Sequence, residues 1–261
     1  MTRRDQMLEA LGIGPQWVLR GRMPAAPTKQ DAVHPAHPVT LAHSVSALEV
    51  EQIEVVGFAE NGKHTDNAIA GMNWQTLQAA VSNCTRCNLC ESRTRTVFGT
   101  GDVKAKWLFV GEGPGRNEDR QGEPFVGPAG KLLDNMLVAM TLRRDRNAFI
   151  ANVVKCRPTD ANGKDRAPSV QESMACKPYL LRQIALIQPT IMVALGKTAA
   201  VALLECAPTI AVSKLRGVVH RYGELPLVVT YHPAYLLRAL VDKRKAWEDL
   251  CLAMDTYSSA A

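Results

Sequence analysis

The sequence predicts a three-layer α/β/α fold around a central four-stranded parallel sheet. Four short, largely apolar runs, Trp107 to Val110, Ala148 to Val154, Thr190 to Gly196 and Pro226 to Tyr231, have the length of strands and the composition of strands buried on both faces. Between them, apolar residues recur at helical spacing, as with Leu132, Leu133, Met136, Leu137 and Met140 after the first run. Strands alternating with helices imply a parallel sheet covered on both sides.

The elements follow in order. Residues 3 to 22 read as one short helix carrying Met7, Leu8, Leu11, Trp17 and Val18, an accessory docking piece. From Met23 to about Asn73 the chain is rich in Ala, Pro, His and Thr and poor in aromatics, so it reads as a mostly disordered linker. His34, His37, His43 and His64 are irregularly spaced without a cysteine partner and are expected to be solvated. Two units result, an extension over 1–73 and a folded domain over 74–261. The domain opens with a helix from Asn73 to Ser82, leading into NCTRCNLC. The first strand ends in the turn Gly111 to Gly115, followed by an acidic loop, a second loop around Phe125 and a helix from Pro128. The second strand runs into Lys155 and Cys156, and the polar loop RPTDANGKDRAPS precedes a helix from Val170 to Ile187 that contains Cys176. The third strand is followed by a helix of Ala and Leu to Leu204. The fourth ends in HPAYLLR, and a last helix spans Arg244 to Met254.

Composition narrows the function. The 261 residues carry 31 Lys/Arg and 25 Asp/Glu, a net charge of +6 that is unevenly placed. Residues 1–75 hold 6 basic and 8 acidic residues, so the extension is near −2 and the remainder near +8. A basic excess on the part that bears the strands favours a polyanion such as nucleic acid, with a basic enzyme acting on small anionic substrates as the alternative that charge alone leaves open. No run of 18 apolar residues suggests a membrane span, and MTRRDQMLEALGIGPQW lacks the apolar core of a signal peptide, so the expected location is the cytoplasm. In that reducing compartment seven cysteines point to metal binding or catalysis rather than disulfides.

Two groups of residues carry chemistry. Cys84 and Cys87 are close enough in sequence to share one ion or one cluster edge, and Cys156 and Cys176 can supply two more thiolates. Four cysteines suit tetrahedral zinc or an iron-sulfur cluster, with Cys90 as a substitute for one of them. Cys206 and Cys251 read as small buried hydrophobes. The second group lies at the strand ends. In a parallel sheet, Gly111 to Gly115, Asn152 and His232 emerge at one edge, where ligands bind in such folds. An amide inside an apolar strand requires a hydrogen-bond partner.

The stretches VFGTGDVKAKWLFVGEGPGRNEDRQGEPFVGPAGKLLD, FIANVVKCRP and YHPAYLLR, in this order and with this cysteine pattern, resemble the family-four, iron-sulfur uracil-DNA glycosylases over Leu77 to Asp249. The resemblance implies a hydrolase that flips uracil from DNA, cleaves its N-glycosidic bond and leaves an abasic site for base excision repair. It implies a [4Fe-4S] cluster on Cys84, Cys87, Cys156 and Cys176. Glu112 and Gly113 correspond to the turn lining the base pocket, Phe125 to the ring stacking on the base, Asn152 to the amide reading the pyrimidine edge, and His232 to the imidazole facing a uracil carbonyl. Glu118 and Asp119 correspond to the acidic pair, and Leu236, Leu237 and Arg238 to the segment entering the duplex.

Gly113 stands where better-known relatives carry a catalytic aspartate, so the water-positioning carboxylate is expected to be Glu118, then Asp119, then Glu112. The loop between Cys156 and Cys176 is a few residues longer than the family pattern, with DANGKD before RAP. The expected partner is uracil-containing DNA, met by a monomer without a membrane. The competing expectations are a non-catalytic iron-sulfur accessory protein that binds nucleic acid and a nucleotide-binding α/β protein. GEGPG lacks the lysine and Ser/Thr of a phosphate-binding P-loop, which counts against the latter.

Overall fold

The computed structural model describes residues 66–260. The expected helix over residues 3–22, and the linker as far as residue 65, lie outside the described residues. Residues 66–70 are helical, and Ile69 is buried in the core. Arg182 Nε donates to the Met72 carbonyl at 2.5 Å, and Asp66 pairs with Arg86. The folded unit thus reaches back beyond the Trp74 boundary that composition suggests.

The sheet has six strands: β1 (Thr100–Gly101), β2 (Trp107–Gly111), β3 (Ala148–Asn152), β4 (Ile191–Leu195), β5 (Val219–Tyr222) and β6 (Leu225–Thr230), in the order β1-β3-β2-β4-β6-β5. The inner four are parallel, as the sequence predicts. β1 and β5 add an antiparallel strand at each edge. Alternate residues along the inner strands enter two cores. Leu108, Val110, Phe149, Ala151, Met192 and Ala194 face one, while Phe109, Ile150, Val193 and Leu195 face the other. Full burial of each Leu, Val, Ile, Phe or Met among them is worth about 1.5–3 kcal/mol. The first core is covered by α1 (Trp74–Ser82), α5 (Val170–Ile187) and α6 (Lys197–Leu204). The second is covered by α4 (Pro128–Ala139) and α9 (Lys243–Ala260). The remaining short helices are α2 (Leu89–Ser92), α3 (Arg116–Gln121), α7 (Val212–Leu215) and α8 (Pro233–Leu236).

Helix α3 corrects the expectation of an acidic loop. RNEDRQ contains no apolar residue, so it has no periodicity to reveal a helix. Its acids lie in the first turn, where the helix dipole favours them, and Gly122 in the left-handed conformation (φ 80°) ends it. The long loop before α5 is a closed excursion. Thr159 and Asp165 form an antiparallel bridge, the Arg166 N–H donates to the Pro158 carbonyl at 3.1 Å, and Asp160 Oδ1 accepts from the N–H groups of Asn162 and Lys164. The extra residues return to their starting point before Ser169 and Glu172 form the capping box that starts α5 and carries Cys176 into place.

Candidate active site

β2 and β3 end side by side, with Gly111 the register partner of Asn152. Their pairing continues as the N–H groups of Val153 and Val154 donate to the carbonyls of Gly111 and Glu112 at 3.0 and 3.2 Å. β6 ends at Thr230, and His232 caps α8, with Pro233 fixing the first helical residue. The three segments therefore meet at one sheet edge.

Asn152 is 2% exposed, and its Oδ1 has no hydrogen-bond partner. Its main chain is held by the fully buried Lys155, whose Nζ donates to the Asn152 carbonyl at 2.8 Å and to Gln183 Oε1 at 2.6 Å. Burial lowers that ammonium to about 8. Gly111 faces the amide so closely that a Cβ on it would lie 2.4 Å from Asn152 Oδ1 and 2.7 Å from Phe125 Cζ. Phe125 is buried and left-handed (φ 55°), a conformation that costs a residue with a Cβ about 1–2 kcal/mol. Its ring stacks on His232 with centroids 5.5 Å apart and planes inclined by 28°.

His232 Nδ1 accepts the Ala234 N–H at 3.1 Å. Burial, with a smaller contribution from the positive charge of Arg238, lowers the imidazole to about 4. The ring is thus neutral at pH 7, with its hydrogen on Nε2.

The acidic residues have separate surroundings. Glu118 Oε1 accepts the N–H groups of Val126 and Gly127 at 3.0 and 3.4 Å, and its Oε2 lies 2.9 Å from where a Cβ on Gly115 would stand. Asp119 is 3% exposed; Oδ1 accepts the N–H groups of Thr94 and Arg95, and Oδ2 that of Thr94. Glu112 accepts the Thr198 hydroxyl. Gly113 packs against Val154 and Pro158. In the HPAYLLR segment Leu236 is buried in the core, while Leu237 and Arg238 are exposed.

Cys84, Cys87, Cys156 and Cys176 line one small enclosed pocket with Arg86, Arg93 and Tyr179. Cys90 is not among its lining residues. Arg93 Nη1 donates to Cys156 Sγ at 3.3 Å and the Lys155 N–H to Cys176 Sγ at 3.2 Å, so two sulfurs already receive donors suited to thiolates. Burial raises the thiols of Cys87 and Cys156, and that of Cys176 to about 12. Losing those protons is costly unless a cation replaces them. Among the described residues, no three such side chains converge on a single ion. Cys206 and Cys251 are only half-buried.

Sequence reasoning missed three supporting residues: Gln183, Thr198 and Arg144. Arg144 donates to the carbonyls of Pro124 and Phe125. Within the run RRDR it has no pattern to separate it from surface charge.

The profile of the uracil DNA glycosylase superfamily matches residues 98–251, more than half of the chain. The chain is 42% identical over 165 residues to the type-4 uracil-DNA glycosylase of Thermotoga maritima, covering 63% of this chain and 83% of that protein. It is 40% identical over 163 residues to the type-4 enzyme of Archaeoglobus fulgidus, with 60% and 79% covered. It is 43% identical over 170 residues to that of Sulfurisphaera tokodaii, with 62% and 75% covered. With the strand-edge amide, stacking ring and imidazole in one place, the chain belongs to the uracil-DNA glycosylase superfamily, among its type-4 members.

Proposed function

We propose that this protein excises uracil from DNA by hydrolysing the N-glycosidic bond, leaving an abasic site for base excision repair. The observation that carries this reading is the buried, unpartnered Oδ1 of Asn152, held beside the stacked rings of Phe125 and His232. An unpaired buried acceptor costs about 1–3 kcal/mol, a cost that a ligand's hydrogen-bond donor removes. Uracil has that donor in its ring N3–H, with a carbonyl beside it for the amide N–H. Cytosine presents an acceptor at N3, so two lone pairs would oppose each other.

The base must leave the stack to reach this pocket, at a cost of a few kcal/mol. Phe125 offers it a stacking face, and the exposed Leu237 and Arg238 are suited to fill and hold the duplex gap. As the bond breaks, charge grows on the uracil oxygen. The neutral His232, with its hydrogen on Nε2, donates to that oxygen without needing a proton from solution. We assign water positioning to the Glu118 oxygen that does not accept Val126 and Gly127, since charge there also favours the oxocarbenium-like sugar. Asp119, both of whose oxygens accept backbone N–H groups, positions the segment at Thr94, and Glu112 positions the turn through Thr198.

The four cysteines fit a [4Fe-4S] cluster. They line one pocket together, and Arg86 and Arg93 beside them offset the negative charge of such a cluster. When bound, the cluster supplies a structural tie between the Cys84 loop, the end of β3 and α5. The pocket is complete within one chain, so we propose a monomer working in the reducing cytoplasm.

The test is uracil release from a labelled oligonucleotide, followed by alkaline cleavage of the abasic site. Wild type is expected to give product, and Asn152→Ala and His232→Ala on the order of 10²–10³-fold less. Cluster-loaded wild-type protein that binds the DNA yet releases no uracil would overturn the proposal and leave a binding protein.

A further inference from the structure

We propose that Arg144 is a positioning residue for uracil excision, holding the Phe125 ring in place through the main-chain carbonyls of Pro124 and Phe125, one on either side of the Phe125 Cα. The inference rests on Phe125 being the ring that stacks on the base. Arg144 Nη1 donates to the Pro124 carbonyl at 2.7 Å and Nη2 to the Phe125 carbonyl at 2.5 Å. Its Nε donates to Asp134 Oδ1 at 2.6 Å, and Glu123 lies 3.6 Å from Nη1. The guanidinium is therefore anchored on α4 and on the loop, with the side chain 19% exposed.

The opposite charge holds the N–H side of the same turn, at the Phe125–Val126 and Val126–Gly127 peptides. The N–H groups of Val126 and Gly127 donate to Glu118 Oε1. Two consecutive carbonyls bound by a cation and two consecutive amides bound by an anion fix the left-handed turn at Phe125, a turn its Cβ disfavours. The fit is tight on the helix side as well, where a Cβ on Gly130 would stand 1.7 Å from the Phe125 carbonyl oxygen. A planar fork can bind both carbonyls at once, whereas a lysine ammonium at the end of a flexible stem cannot hold both in fixed geometry. Without the fork, the turn is free to relax and the ring to leave its 5.5 Å stack on His232.

The test is a double-mutant cycle under single-turnover conditions on cluster-loaded protein, with Arg144→Ala, Phe125→Ala and the pair. Arg144→Ala alone is expected to slow uracil release at least tenfold, about 1.4 kcal/mol, and Arg144→Lys to restore little of it. In the Phe125→Ala background the Arg144 change should cost less than twofold. With Leu237→Ala, by contrast, its effect should multiply. These outcomes separate action through the ring from general destabilisation, which would multiply with both. An Arg144→Ala rate within twofold of wild type, or full multiplication with Phe125→Ala, overturns the inference. Should Arg144→Ala fail to fold, the cycle is run with Arg144→Lys and read by the same coupling. Wild-type protein that releases no uracil would instead overturn the proposed function.

Discussion

Gly111 and Asn152 face each other at the ends of two adjacent parallel strands, so closely that a single methyl group on Gly111 would lie 2.4 Å from the amide oxygen. That methyl would also lie 2.7 Å from the Phe125 ring, so it would occupy the space between the amide and the stacking ring. Gly111→Ala is expected to lower uracil release roughly 100-fold, as a displacement of about 1 Å at a reacting site does. Overpacking should also cost about 1–3 kcal/mol of stability. Single-turnover rates and thermal unfolding on the same preparation check both; an unchanged rate would show that the pocket lies elsewhere.

His232 makes acid stability a test of its burial. Its folded-state value, about 4, lies below the ordinary 6.5, so the unfolded chain binds the proton more readily between these two. The stability associated with the neutral ring is fully present above pH 6.5 and is lost as pH falls toward 4, by on the order of 3 kcal/mol. His232→Asn keeps a side-chain acceptor for the Ala234 N–H without a titrating ring. Its denaturant midpoint should therefore fall less steeply than that of wild type between pH 6.5 and 4. Parallel curves would mean that the ring titrates normally. Wild-type excision should show no step near pH 6.5, because the ring is already neutral there.

The parts of this fold that the sequence reveals are those governed by burial. β2, β3, β4 and β6 are apolar because both faces are covered, and each boundary falls within about two residues of the expected one. Asn152 stands out as the amide in such a strand, and His232 follows from the parallel topology. Features held by polar contacts leave no such trace. α3 has no apolar residue, β1 is two residues long, and β5 is half exposed. Adjacent Leu236 and Leu237 read alike, yet one is buried and the other exposed because successive residues at the end of α8 point about 100° apart. Arg144 is the extreme case, since its partners are two main-chain carbonyls twenty and nineteen residues away.

The cysteine pocket predicts which substitutions release iron. Cys84, Cys87, Cys156 and Cys176 line it and Cys90 does not. Cys87→Ala purified anaerobically should lose the brown colour and most of about four irons, while Cys90→Ala should keep both. Arg93→Met, which removes the donor to Cys156 Sγ and to the Cys84 carbonyl, should load iron but lose it faster to a chelator. Iron and zinc analysis of each variant decides; one zinc in place of iron in wild type would reject the cluster.

The long loop before α5 gives the last prediction. Its ends already meet, through the Thr159 to Asp165 bridge and the Arg166 N–H to Pro158 carbonyl bond. The Arg157–Asp165 ion pair closes the base of the loop, and the Arg166–Glu172 pair lies just beyond it. Replacing Asp160 to Lys164 with Asn-Gly, a turn that suits a two-residue antiparallel connection, should leave these contacts intact. Shortening a surface loop to this extent changes closure entropy by only about 1 kcal/mol. Iron content and single-turnover uracil release should stay within about twofold of wild type, with Tm within a few degrees. Loss of iron from a folded variant would show that the excursion itself, rather than the capping box at Ser169 and Glu172, sets the position of Cys176.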